Sequence, residues 1–306
     1  MAAIECLTEP VYAVGESPVW QAQESALYWV DIPAGRILRL DPASGRLDAW
    51  NAAEPVGCIA FASDGTLVAG MQTGVFSLRL AEGGAVLATR LGTPGFALPG
   101  MRFNDGRCDR QGRFWAGTMH TDIPAAHAVG CLFRYALPAG LTGPAVSGLV
   151  IQNGLAFSPA GDRMYLSDSH PQVRQIWCFD YDTESGTPSN RRLFVDMNAH
   201  PGRPDGAAVD EDGCYWTCAA DGACLLRFTP EGRLDRKIEM PVKKPTMCAF
   251  GGAGLDTLYV TSIRPADPAA LADQPLAGAV FALNPGVKGL PETPFASPAR
   301  NPENTR

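Results

Sequence analysis

The segment Asn153–Asp168, NGLAFSPAGDRMYLSD, runs polar residue, glycine, apolar strand, tight turn, apolar strand. Five other segments superpose on it, hinged on the turn and on the apolar residue before that turn. They are Glu16-Ser-Pro-Val-Trp20 ahead of Leu27-Tyr-Trp, Gly57-Cys-Ile-Ala-Phe61 ahead of Leu67-Val, and Asn104-Asp-Gly-Arg-Cys108 ahead of Phe114-Trp. Asp205-Gly-Ala-Ala-Val209 ahead of Tyr215-Trp and Thr246-Met-Cys-Ala-Phe250 ahead of Leu258-Tyr complete the set. The copies open at Glu16, Gly57, Asn104, Asn153, Asp205 and Thr246. They fall about 40–50 residues apart, the period of four-stranded propeller blades. Hairpins stacked as sandwiches would account for the strands but not for their equal spacing. The expectation is therefore an all-β chain: a single six-bladed β-propeller over residues 1–290, followed by an irregular tail over 291–306.

Composition supports this reading. Apolar residues make up 46% of the 306, enough for a large core and too many for a disordered chain. The 33 glycines and 26 prolines suit many short strands joined by turns. A net charge of −7 without a basic run argues against nucleic-acid and anionic-membrane partners. No apolar stretch reaches membrane-spanning length. The opening MAAIECLTEP lacks the basic and apolar parts of a signal peptide, so a cytoplasmic protein is expected. Nine cysteines are spread through strand-like segments without a CxxC pair and read as buried, reduced thiols. Cys214, Cys218 and Cys224 are the lesser alternative, a thiolate zinc site, but their spacing does not match a zinc knuckle.

Within the repeat, blade six lacks a fourth strand of its own. A propeller must close its ring to hide strand edges, so Ile4–Leu7 is expected to supply that strand. Two insertions, Met119–Gly130 and Arg264–Gly278, fall between second and third strands and should overhang one channel mouth. The second contains ADPAALADQP, a short-helix candidate. His120, His170 and Pro171 belong to the same mouth, where loops build binding pockets. His127 lies in the first insertion, and His200 leads into Asp205. Asp168 reads either as a pocket residue or as the cap of a turn. The column Trp29, Trp115, Tyr165, Trp216 and Tyr259 reads as packing between blades.

The six opening residues should form a ring about the axis. Glu16 and Asp205 bring carboxylates and Asn153 a carbonyl oxygen, all hard donors. Two close negative charges call for a cation between them: Ca2+, Mg2+ or Mn2+ first, with Zn2+ or Fe2+ also compatible. Gly57 would leave room for a ligand. Asn-Gly and Asp-Gly are also ordinary turn formers. Four oxygen side chains at equivalent positions, with Asn104 the fourth, favour the metal reading. Arg102 stands beside Asn104 and offers a fork of donors for hydroxyl or carboxylate oxygens.

Glu16-Ser-Pro-Val-Trp20, Arg102-Phe-Asn-Asp-Gly106, Trp115-Ala-Gly-Thr-Met119, Asn153-Gly-Leu-Ala-Phe157 and Pro204-Asp-Gly206 together resemble the regucalcin (senescence marker protein)/gluconolactonase/luciferin-regenerating-enzyme-like family along essentially the whole chain. The resemblance implies one divalent ion on the axis, with ligands at Glu16, Asn153 and Asp205, and substrate contacts at Arg102 and Asn104. Where vertebrate members carry an acidic pair after Gly-Thr-Met, this chain has His120, Thr121 and Asp122. His120 and Asp122 are therefore candidate substrate contacts, and substrate preference does not transfer. The implied reaction is metal-dependent hydrolysis of a sugar aldonolactone (glucono-, xylono- or arabinonolactone) by a monomer or weak homo-oligomer, with Asp205 as general base. A phosphotriesterase-like hydrolase and a calcium-binding regulator without turnover are the alternatives.

Overall fold

The computed structural model describes residues 3–297. Twenty-four strands among them form six four-stranded antiparallel sheets. Each inner strand packs on the inner strands of two neighbours, and the sixth returns to the first, so the sheets close into a propeller. The inner strands are Gly15–Gln21, Val56–Phe61, Met101–Cys108, Gln152–Phe157, Arg203–Val209 and Pro245–Gly251.

Burial explains the sequence pattern of the strands. Inner and second strands lie between neighbouring blades and are covered on both faces, so Ala26–Asp31 and Tyr215–Ala220 are buried at every residue. Outer strands such as Leu234–Glu239 meet solvent and turn polar. Blade three's outer strand, Gly140–Leu149, starts well before the Gly148–Val150 piece legible in sequence. Gly143 and Pro144 hide it, and an outermost strand tolerates them because its far edge needs no partner.

The ring closes as expected. Blade six takes Pro245–Gly251, Thr257–Ser262 and Phe281–Leu283 from the C-terminal side, and Glu5–Cys6 pairs with Ala282 and Phe281 as its outermost strand. Leu7 N–H donating to Val280 O at 2.8 Å extends the clasp. Six apolar clusters fill the six seams. Trp29, Trp115, Tyr165, Trp216 and Tyr259 all lie within them, none more than 4% exposed. The second insertion carries the short helix Pro268–Ala272, capped by Asp267.

All six inner strands break register at the same place. The bulges fall between Glu16 and Val19, Val56 and Cys58, Phe103 and Gly106, Asn153 and Ala156, Pro204 and Ala207, and Pro245 and Cys248. A bulge takes residues out of the ladder and re-aims their side chains. The six ring residues therefore lie at bulges inside strands that begin one or more residues earlier, rather than at the strand entrances.

The opposite face carries the hairpin turns between first and second strands. Residues 288–297 cross it without forming a strand. Leu255 O and Gly112 O accept from Gly289 N–H and Ala296 N–H, Phe61 O accepts from Phe295 N–H, and Glu211 N–H donates to Lys288 O. The segment thus ties hairpins of blades two, three, five and six together.

Candidate metal and substrate site

Neighbouring blades meet at the ring through short polar bridges. Thr246 Oγ1 donates to Gly15 O at 2.5 Å, tying blade six to the residue before Glu16. Ser17 Oγ accepts from Ile59 N–H at 2.9 Å. Asn104 Nδ2 donates to Gln152 O at 2.8 Å. Asn153 Nδ2 donates to Ser169 Oγ at 2.8 Å, and Ser169 Oγ in turn donates to Pro204 O. Two seams use bare backbone instead. A Cβ on Gly57 would stand 2.5 Å from Phe103 O, and one on Gly206 would stand 2.4 Å from the Met247 side chain. Gly57 is therefore required by the approach of blade three's backbone and leaves no room for a ligand on that side.

Inside this frame the donors are buried. Glu16 and Asp205 are each 8% exposed and Asn153 4%. Glu16 Oε2 accepts from Ser17 N–H at 2.8 Å, with Ser17 held at a positive φ of 48°. Burial lifts the Glu16 carboxyl well above the usual carboxylate range, and Asp205 and Asp105 push it the same way. Burial likewise raises Asp205 to about 7, against the pull of Arg203. Asn153 Oδ1 is buried without a hydrogen-bond donor. Two carboxyls driven toward protonation and one orphaned amide oxygen are what a hard cation would satisfy. Among the described residues no group of three or more His, Cys, Asp or Glu side chains is placed to hold a metal, so an ion here would rest on two carboxylates and a neutral amide oxygen.

Arg102 Nη1 donates to Phe103 O and to Asn104 Oδ1, both at 2.8 Å. With Asn104 Nδ2 held by Gln152 O, the amide of Asn104 is fixed at both ends. Burial lowers the Arg102 pKa, and Glu16 opposes that shift. Arg102 therefore sits within the field of the Glu16 carboxylate.

The mouth loops use their own polar groups internally. His120 Nε2 lies 2.9 Å from Pro99 O, and His120 Nδ1 accepts from Asp122 N–H at 3.1 Å, so both ring nitrogens are engaged. Its ring packs edge-on against His127 at 4.8 Å. Asp122 Oδ1 accepts from Ala125 N–H. Among the described residues no hydrogen bond joins His120 or Asp122 to the ring. His170 Nε2 reaches Ile123 O at 3.2 Å and props the same loop. Asp168 is a cap: it accepts from Val150, Ile151 and His170 N–H groups, as Asp31 does from Ala13 and Val14. His200 packs against Phe228.

Three buried polar residues here escape sequence reasoning. Asp105, 3% exposed, is a third buried carboxyl on an inner strand; its Oδ2 accepts from Leu155 N–H at 2.8 Å while Oδ1 has no donor. In sequence it is the middle of Asn-Asp-Gly and reads as a turn. Arg107 reaches from blade three to Ala207 O of blade five at 2.7 Å, so it crosses the channel below the ring. Ser169 has no counterpart in the repeat column. A cavity of about 660 Å³ opens on the opposite face, lined by Trp20, Phe61, Met247, Phe250 and Arg107 and crossed by residues 291–294. It contains none of the six ring residues.

The cysteines are all free thiols. Cys218 and Cys224 belong to different seams, on opposite faces of blade five, so the zinc alternative does not assemble. No helix among the described residues is long and apolar enough to cross a membrane.

A family model described as the SMP-30/Gluconolactonase/LRE-like region matches residues 14–264. The chain is 39% identical to 6-deoxy-6-sulfogluconolactonase of Pseudomonas putida over 96% of its own length and 98% of that protein. It is 33% identical to pentonolactonase XacC of Haloferax volcanii over 91% and 93% of the two chains. Among solved structures, the calcium-binding protein regucalcin of Agrobacterium tumefaciens superposes with a TM-score of 0.88 at 27% identity, covering 97% of this chain and 98% of that one.

Proposed function

The chain belongs to the SMP-30/gluconolactonase/LRE-like family, and we propose that it is a sugar lactonase that opens an aldonolactone (glucono-, xylono- or arabinonolactone) to its acid with the help of one divalent ion. Relatives named as lactonases at 39% and 33% identity over more than nine-tenths of the chain support the reaction class. The observation that carries the site is the ring itself: Glu16 and Asp205 are buried and raised in pKa while Asn153 Oδ1 lacks a donor. Glu16, Asn153 and Asp205 would hold the ion, with Ca2+, Mn2+, Mg2+, Zn2+ and Fe2+ all compatible with oxygen donors.

When bound, the ion would polarise the lactone carbonyl and lower the pKa of the attacking water. Asp205 receives the proton of that water on its carboxylate and returns it to the ring oxygen as the C–O bond breaks. Burial raises this carboxyl in the ion-free site, and a bound cation would oppose that shift and keep the carboxylate ionised to accept the proton. Arg102, with Nη1 committed to Phe103 and Asn104, presents its remaining N–H groups to sugar hydroxyls. Asn104 is held in register beside it by Gln152 O. Lactones are activated esters, so positioning and a single Lewis acid suffice without a nucleophilic triad.

The test is proton release from gluconolactone, xylonolactone and arabinonolactone by purified protein, before and after chelation, with metal added back. Turnover lost to chelator and restored by metal supports the proposal, and turnover indifferent to chelator refutes the metal. Activity confined to phosphotriesters, or tight Ca2+ binding without turnover, would refute the lactonase.

A further inference from the structure

We propose that Ser169 is a positioning residue that decides which end of the Asn153 amide faces the metal ligands. The inference rests on the metal reading above and adds a residue outside the ring. Ser169 follows the second strand of blade four and is 2% exposed. Its backbone is fixed on both sides: its N–H donates to Ile151 O at 3.0 Å, and its carbonyl accepts from Arg203 Nη1 at 3.0 Å.

Its hydroxyl has one proton and two neighbours, Asn153 and Pro204 O. Pro204 O is a carbonyl and can only accept. The hydroxyl proton therefore goes to Pro204, and Ser169 Oγ must accept from Asn153. Only the NH2 end of the amide can donate, so Nδ2 faces Ser169 and Oδ1 is the free end. The usual ambiguity between the two ends of an asparagine amide is removed by this chain of donors. The same hydroxyl holds the residue immediately before Asp205. Pro204 is also held by its pairing with Ala219 in the blade-five ladder, so loss of the hydroxyl acts chiefly on the Asn153 amide.

Without Ser169 the constraint vanishes. The amide is then free to turn its NH2 end toward the buried carboxyls, which accept hydrogen bonds. That orientation replaces an acceptor by a donor where a cation needs an acceptor. Side chains that orient metal ligands are worth about 10- to 100-fold in metal affinity, and that is the expected cost of Ser169→Ala.

The experiment is Mn2+ titration calorimetry on wild type, Ser169→Ala, Asn153→Asp and the double variant, with circular dichroism confirming that each is folded. Ser169→Ala should weaken Mn2+ about 10- to 100-fold in the wild-type background. It should cost less than about threefold beside Asn153→Asp, because a carboxylate presents an oxygen whichever way it turns. Equal costs in both backgrounds, or none in the first, would overturn the proposal. Exchange of the Asn153 side-chain amide protons, followed by 15N-resolved NMR on metal-free protein, is the independent arm. Wild type should show a protected Nδ2 proton that Ser169→Ala exposes, and unchanged protection would also overturn the proposal. If wild type binds no Mn2+, the metal reading fails, while this arm still decides which way the amide points.

Discussion

Replacing Asp205 by Asn should make the metal-free protein more stable at neutral pH, although it removes the proposed base. The buried carboxyl moves from an ordinary 3.8 to about 7 on folding. Below pH 3.8 it is protonated in both states, and the folded state keeps its full advantage. As pH rises toward 7 the unfolded chain has already released the proton and the folded one still holds it, so stability falls through this window. Three decades of proton affinity correspond to about 4 kcal/mol, or about 8 °C in melting temperature for a chain of this size. Asn carries no charge to bury and escapes that loss. Chelator-treated wild type and Asp205→Asn should therefore melt together near pH 4 and diverge as pH rises, with the variant higher by about 8 °C at pH 7.5. Comparing the two proteins cancels the surface carboxylates, whose shifts run the other way. Adding Ca2+ or Mn2+ at pH 7.5 should stabilise wild type and narrow the gap. A variant no more stable than wild type at pH 7.5, or a gap that widens toward acid, would refute the claim that an uncompensated buried charge sits at this position.

Asn104→Ala should raise KM for a lactone far more than it lowers kcat, because it frees Arg102 without touching the proposed base; equal losses in both parameters would contradict this. Gly57→Ala places a Cβ 2.5 Å from Phe103 O and 2.7 Å from Asn104 O, both backbone atoms that cannot swing aside. It should cost about 1–3 kcal/mol in urea denaturation and raise KM as blade three is displaced. Phe295→Ala should cost about 3 kcal/mol by the same assay, since the ring is 5% exposed and packs on Tyr135; an effect below about 0.5 kcal/mol would show that the strap contributes nothing to closure.

The blades were legible in the sequence because each copy repeats a buried strand, a turn and a second buried strand at nearly constant spacing. The ring column followed from the same alignment, since equivalent offsets in equivalent strands reach equivalent places about an axis. The bulges were not legible. A bulge is a mismatch between two strands, and a single strand's pattern of apolar residues does not record it. Asp109 and Asp210 carry a signal that the alignment of the repeats does not use. Each stands six residues before a tryptophan whose Nε1 it accepts from, and each pairs with an arginine, the half-buried Arg113 or the buried Arg227. In sequence both look like ordinary turn aspartates. The C-terminal strap was hidden for another reason: backbone groups make most of its hydrogen bonds, and these carry no residue signature.

Ser169 marks the deeper limit. The repeat identifies which residues point inward, but it cannot say which atom of an amide does so. That depends on a hydroxyl sixteen residues further along the chain, and through it on a carbonyl in the next blade. Donor polarity passes from Pro204 to Ser169 to Asn153, across a seam that the sequence crosses only after another thirty-five residues. A chain that kept every ring residue but lost Ser169 would read as the same propeller with the same ligands. On this argument it would bind its ion about 10- to 100-fold more weakly. The column of ring residues is thus necessary for the proposed site, and the hydrogen-bond direction around it is the part that only a structure supplies.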